Sequence, residues 1–247
     1  MFEQPYAYFE DVNWGLLRLW GKRSGLRVLD VGCGYATTSQ HIQQRGNPVL
    51  GIESSGEAVA VAKTRIGQVV QCDLTDLDRV AQFLGDAQFD VIIFADVLEH
   101  LPWPVGVLRG YLRWLKPGGS AIVSLPNVGL WQVRLSLLLG RFEYQQSGVL
   151  DATHLRFFTR RTALRLLDAA GLEPVRRTYN PGLVRPLAPL VRKVVGGGDN
   201  VANRDAILNS PSYRGYLRFV HPFERLVASL WPGLLAFQFI FEAKGKR

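Results

Sequence analysis

The 247-residue chain is 47% hydrophobic and 20% charged, an ordinary globular composition with length for one substantial core, so one domain with insertions is expected over two independent ones. Its two cysteines, Cys33 and Cys72, read as reduced cytoplasmic thiols, the start M-F-E-Q-P-Y lacks the basic-then-apolar pattern of a leader, and the best apolar run, residues 226–241, is too short for a span and contains Pro232. Net charge is +8 but uneven, with 11 Lys+Arg against 13 Asp+Glu over residues 1–127 (−2) and 18 against 8 over 128–247 (+10), which leaves a solvated surface, an anionic small molecule, a phospholipid surface or nucleic acid open for the second half.

Residues 1–24 contain Tyr6, Tyr8, Phe9, Trp14 and Trp20, with helical apolar spacing through Leu16, Leu17, Leu19 and Trp20. Val28, Leu29 and Val31 read as a buried parallel strand, and Gly32 and Gly34 permit a tight turn with close approach of a ligand to bare backbone. Thr37, Thr38 and Ser39 are N-cap candidates for the helix that follows, to about residue 44. A dinucleotide fingerprint would need a glycine where Thr37 stands. Asp30, two residues before the first glycine, would repel a pyrophosphate and attract an ammonium or sulfonium, so the expected ligand is a cationic nucleotide.

Stretches at 48–53, 69–74 and 90–94 alternate with helices expected over about 54–65 and 75–84. A helix over about 105–115 leads to the turn K-P-G-G (116–119) and a fifth strand ending at Pro126 and Asn127. This alternation implies a parallel sheet with helices on both faces. Residues 128–158 form an insertion opened by an amphipathic helix over 130–139, and 159–170 is a helix stopped by Gly171. Strands are expected over 173–179 and 235–242. Between them, 180–234 is too long for a hairpin and should hold helices of its own; its apolar and basic part, 183–195, followed by G-G-G-D (196–199), reads as a cap or as a lid touching membrane.

V-L-D-V-G-C-G (28–34), I-E-S-S (52–55), Q-C-D-L (71–74), D-V-I-I-F-A-D-V-L-E-H (90–100) and L-K-P-G-G-S-A-I-V-S-L-P-N (115–127), in that order, resemble the class I S-adenosylmethionine-dependent methyltransferases. The resemblance implies an α/β Rossmann-like fold with a seven-stranded, mostly parallel sheet whose last strand is antiparallel, and a leading helix over the cofactor. It also implies that Asp30, Gly32, Gly34, Ala95 and Asp96 line the cofactor site. Glu53 would hold the ribose hydroxyls, Asp73 the adenine amino group and Leu74 the ring.

D-A-T-H-L-R-F-F (151–158) resembles a bacterial methyltransferase subgroup associated with sugar, polysaccharide and secondary-metabolite pathways. In a bare packing reading, Leu155, Phe157 and Phe158 would fill the loop and Asp151 would pair with Arg156. In a functional one, His154 and His100 are the candidate catalytic groups, because histidine titrates near neutrality, and Asp151 and Arg156 would bind substrate. D-x-x-E-H (Asp96, Glu99, His100) resembles the E-x-x-E-H of quinone-pathway O-methyltransferases, where a divalent cation can sit, but Asp replaces the first Glu and no metal is expected. The acceptor is expected to be a small molecule, anionic or polyhydroxylated, such as a sugar, glycan, lipid-linked precursor or secondary metabolite. N-methylation of an amine and a non-catalytic binding module are the alternatives. Nucleic acid is not expected, since the fourth strand lacks N-P-P-Y or D-P-P-Y; peripheral membrane contact is left open.

Overall fold

The computed structural model describes residues 12–183, 218 and 220–246. Tyr6, Tyr8 and Phe9, residues 184–195 of the expected lid and the glycine run at 196–198 lie outside them.

The described chain runs α1 (Trp14–Trp20), β1 (Val28–Val31), α2 (Thr37–Gln43), β2 (Val49–Glu53), α3 (Gly56–Ile66), β3 (Gln68–Gln71), α4 (Leu77–Leu84) and β4 (Phe89–Ala95). It continues through a 3₁₀ turn (Leu98–His100), α5 (Pro104–Tyr111), β5 (Leu115–Pro126), α6 (Trp131–Leu138), α7 (Arg160–Ala169), β6 (Leu172–Pro181), α8 (His221–Leu230), α9 (Pro232–Leu235) and β7 (Ala236–Gly245). The seven strands form one sheet in the order β3-β2-β1-β4-β5-β7-β6, in which β7 is antiparallel to both β5 and β6. The order reverses between β1 and β4, so the crevice at their carboxyl ends is where this class of sheet places a ligand.

Strand interiors explain the layering. All four residues of β1 are buried, as a strand covered on both faces requires. One core joins Leu29, Val31 and Phe94 to α4, α5 and α7; the other joins Val28, Val91, Val49 and Ile240 to α1, α2 and α3. α3 is capped by Ser55 and α4 by Asp76, whose side chains accept from the amides of Ala58 and Arg79. α7 carries a capping box between Thr159 and Thr162, and Gly171 at φ 81° lies just beyond its end.

Four local expectations are corrected. None of Thr37, Thr38 and Ser39 caps α2: its N-cap is Ala36 in the left-handed region, at φ 55°, and the three polar side chains bond elsewhere. Strand five begins at Leu115, before the K-P-G-G run, because Leu115 already pairs with Phe89 across a register shift. α6 has no apolar face. It buries only Val133, while Leu135, Leu137, Leu138 and Leu139 are 48, 49, 82 and 62% exposed, because leucines at nearly successive positions point all round a helix. Asp151 does not pair with Arg156, whose guanidinium donates to the carbonyls of Leu155 and Pro102, and Leu155 is half exposed rather than packed. No helix among the described residues is long and apolar enough to cross a membrane.

Candidate active site

The turn after β1 is pinned by backbone. The amides of Gly32 and Cys33 both donate to the Ile52 carbonyl, at 2.8 and 3.1 Å, which ties the turn to the end of β2. Gly32 sits at φ 72°, and a Cβ there would lie 2.4 Å from Val97 Cγ2 and 3.3 Å from Leu74 Cδ1. This glycine is therefore required both by conformation and by the close approach of three strand ends.

Glu53 is buried at 3% exposure. Its carboxylate accepts from the amides of Gly34 (2.9 Å), Ser54 (2.7 Å) and Ser55 (2.9 Å), so it closes the glycine turn from below. Asp30 is 5% exposed; Ser39 Oγ donates to its Oδ2 at 2.5 Å, and its Oδ1 has no partner. Burial pushes the Asp30 carboxyl up to about 6, against the bond from Ser39 and with help from the nearby charge of Glu53. An orphaned buried oxygen beside a glycine turn is a place where a cationic ligand would satisfy what the protein leaves open. Asp73 Oδ1 accepts from the amide and hydroxyl of Thr75, both at 2.8 Å, and the Leu74 carbonyl accepts from Tyr111 Oη at 3.2 Å. These bonds fix the loop after β3.

At the end of β4, Ala95 lies level with Ser124 of β5, and Asp96 takes the left-handed conformation at φ 57°. Gln238 Nε2 of β7 donates to both Asp96 oxygens, at 2.5 and 2.6 Å. Gln238 in turn accepts from Asn13 Nδ2 (3.2 Å) and Asn180 Nδ2 (2.6 Å). The Asn13 amide donates to Thr38 Oγ1 at 2.9 Å, which ties the start of α1 to the start of α2. This polar network was not anticipated, although one signal was available: Gln238 is a polar residue at a buried position of the otherwise apolar strand F-Q-F-I-F.

Across the crevice, the loop 151–158 lies against the 3₁₀ turn after β4. The amides of Leu155 and Arg156 donate to the Glu99 carbonyl at 2.9 and 3.0 Å. Asp151 is buried and turned inward, its Oδ1 accepting from the Thr153 hydroxyl (2.6 Å) and amide (2.8 Å). With its proton given to Asp151, the Thr153 hydroxyl accepts from His100 Nδ1 at 3.1 Å, and the Thr153 carbonyl lies 3.3 Å from the same nitrogen. His154 Nδ1 donates to the Val149 carbonyl at 3.2 Å. A carbonyl can only accept, so both imidazoles carry their proton on Nδ1 and hold the lone pair on Nε2. The two rings meet edge to face at 4.7 Å.

Burial disfavours charge throughout this cluster. Burial first, then the neighbouring His154, lowers His100 to about 4; burial lowers His154, with Asp151 opposing. Glu99 is 1% exposed with its Oε2 unbonded, and burial, then Asp96, raises its carboxyl well above the usual range. Ligand atoms of Glu99, His100 and His154 all lie within 4.8 Å of one another. The structure thus brings His100 and His154, the two candidate catalytic groups, side by side.

Residues 7–177 match a protein family described as a methyltransferase domain, a match over more than half of the chain. The chain belongs to the class I S-adenosylmethionine-dependent methyltransferases. A ubiquinone biosynthesis O-methyltransferase of Pseudomonas fluorescens is 32% identical over 181 residues, which cover 69% of this chain and 75% of that one. The like-named protein of Leptothrix cholodnii is 31% identical over 183 residues, 68 and 77% of the two chains. Among solved structures, an S-adenosylmethionine-dependent methyltransferase of Archaeoglobus fulgidus superposes with a TM-score of 0.58 over 93% of this chain and 90% of that one, at 17% identity, a likeness of fold alone. The protein is an enzyme that O-methylates a small molecule, and S-adenosylmethionine is its methyl donor.

Proposed function

We propose that this methyltransferase moves the methyl group to a hydroxyl presented between the glycine turn and the 151–158 loop, with His154 taking the hydroxyl proton. The observation that carries this reading is the bond from His154 Nδ1 to the Val149 carbonyl, which fixes the tautomer with a basic Nε2 in a neutral, buried setting. When bound, S-adenosylmethionine supplies a methyl group already activated on a sulfonium. Little covalent help is then needed, and the protein's work is alignment and exclusion of water. In this reading Asp30, Gly32 and Gly34 hold the methionine end of the donor, Glu53 the ribose, and Asp73 and Leu74 the adenine. Asp96, fixed by Gln238, and Ala95 line the wall near the methyl group. Asp151 acts through Thr153 to orient His100, and so supports the base cluster instead of touching substrate.

The relatives' place in ubiquinone biosynthesis and the resemblance of the 151–158 string favour a ring hydroxyl of a quinone-like, sugar or secondary-metabolite acceptor. The basic second half and the exposed leucines of α6, with Phe223, Leu226, Leu230 and Trp231 of α8 and its end, suit an amphiphilic or anionic acceptor drawn from a membrane surface. Transfer of labelled methyl from S-adenosylmethionine to such hydroxyl panels, lost in His154→Ala, is the test; transfer only to amines would overturn it.

One observation favours a second reading. Glu99, His100 and His154 fit a small divalent cation in number and ligand type, and a cation held there would acidify the acceptor hydroxyl. Asp96 fits less well, since both its oxygens are taken by Gln238.

A further inference from the structure

On the opposite side of Gln238 from Asp96 lies a second polar site. A cavity of about 450 Å³ between α1, β6 and α8 is lined by Arg18, Leu19, Arg176, Arg177, Thr178 and Arg225. Glu242 of β7 is shared by Arg23 at 2.7 Å and Arg176 at 3.0 Å. Arg18, Arg177 and Arg225 have no ion pair among the described residues. Arg18 is half-buried and is committed by its Nη2 to the Tyr179 carbonyl and Asn180 Oδ1, while its Nε is shut off from solvent with no partner. Burial, then the Arg225 guanidinium, lowers Arg18 to about 10, and His221 is lowered by burial and by the same two arginines, with Glu224 opposing. Holding like charges together around a partly desolvated cavity is unfavourable unless an anion joins them. Guanidinium groups in a fixed fork match phosphate oxygens bidentately.

We propose that Arg18, Arg177 and Arg225, with Arg176 at the rim, form a binding site for a phosphate-bearing anion, distinct from the methyl-transfer site and connected to it. The connection is a chain of hydrogen bonds. Arg18 Nη2 donates to Asn180 Oδ1 at 3.1 Å, Asn180 Nδ2 to Gln238 Oε1 at 2.6 Å, and Gln238 Nε2 to Asp96. An anion that draws Arg18 toward itself reorients Asn180, and Asn180 is one of the two groups that orient the Gln238 amide. By linkage, a ligand that shifts Asp96 changes donor affinity, and the donor changes its affinity in return.

The experiment titrates inorganic diphosphate into the full chain and measures its binding, then the S-adenosylmethionine dissociation constant with and without it. The same measurements are made on Arg177→Ala and Arg225→Ala, both exposed positions outside the transfer site, with Arg165→Ala as a control on a different basic surface. The expected result is diphosphate binding weakened tenfold or more in the first two variants and unchanged in the control, with donor affinity shifted at least threefold by diphosphate in the wild type only. A parallel arm measures sedimentation with phosphatidylglycerol vesicles. Loss of vesicle binding in Arg177→Ala and Arg225→Ala without free diphosphate binding assigns the phosphate to a lipid headgroup and supports the site. Diphosphate and vesicle binding that are both indifferent to these arginines would overturn the site, and binding with no change in donor affinity would overturn the connection. Because the readout is donor affinity, the result is independent of which acceptor the enzyme methylates.

Discussion

The glycine turn and the histidine cluster hold buried acids in opposite ways. Glu53 meets three backbone amides, one from the glycine turn and two from its own loop, whereas Glu99, as deeply buried, leaves an oxygen unbonded and is pushed toward its neutral form by burial and by Asp96. Asp30 stands between them, with one oxygen bonded to Ser39 and one open. On the proposed reading, donor recognition rests on a framework closed by backbone, while the acceptor side is built from desolvated groups in which charge is costly.

The largest expected effect breaks the acceptor side alone. His154→Ala should lower turnover by about 10² to 10⁴, the usual contribution of a positioned base, while donor affinity stays at the wild-type value. Turnover, donor binding and melting temperature measured on one preparation decide it; normal turnover in a destabilised protein would leave His154 as loop packing.

The next concerns Asp30. Its native carboxyl titrates at about 6 against an ordinary 3.8, so the native state binds the extra proton between these values. Stability from this group is therefore full below about pH 4 and lost as pH rises through 6, by about 3 kcal/mol for a shift of this size. Asp30→Asn should be more stable than wild type at pH 8 without donor, the gap closing at pH 4, and should bind the cationic donor more weakly. Equal melting temperatures at pH 8 would contradict this.

Glu53→Ala should weaken donor binding by about 1–3 kcal/mol, the scale of hydrogen bonds to a charged group. Calorimetry checks it, and NAD should show no comparable binding. The smallest expected effect is none: turnover should survive a chelator. Complete loss restored by a divalent cation would instead make Glu99, His100 and His154 ligands.

Much of this comparison was legible in the sequence, and unevenly so. The parallel strands and their helices announce themselves through apolar runs, glycine stops and cap residues such as Ser55, Asp76 and Thr159, because those signals are local. Asp30 and Gly32 follow from the strand-and-glycine pattern and Glu53 only from the resemblance, and the structure brings Glu53 to the glycine turn, where it accepts from the Gly34 amide. The leucines of 135–139 carry no such signal, because at nearly successive positions they point all round the helix. The Asp151–Arg156 pair failed because Thr153, two residues from Asp151, reaches its carboxylate first. The convergence of His100 with His154 and the hold of Gln238 on Asp96 join positions 54 and 142 residues apart, and no short window contains them.

The placement of β7 has a consequence for how the enzyme comes into being. This strand is translated after every other strand of the sheet, yet it is wedged between β5 and β6, so β6 has no seat until β7 arrives. On the ribosome the β1–β4 half, built from nearer neighbours, can collapse early, while closure of the sheet waits for pairings of long sequence separation. Gln238 travels on that last strand. A nascent chain would therefore own its glycine turn before it owns the residue that fixes Asp96, and on the proposed reading competence for transfer would be acquired late, with the closing of the sheet.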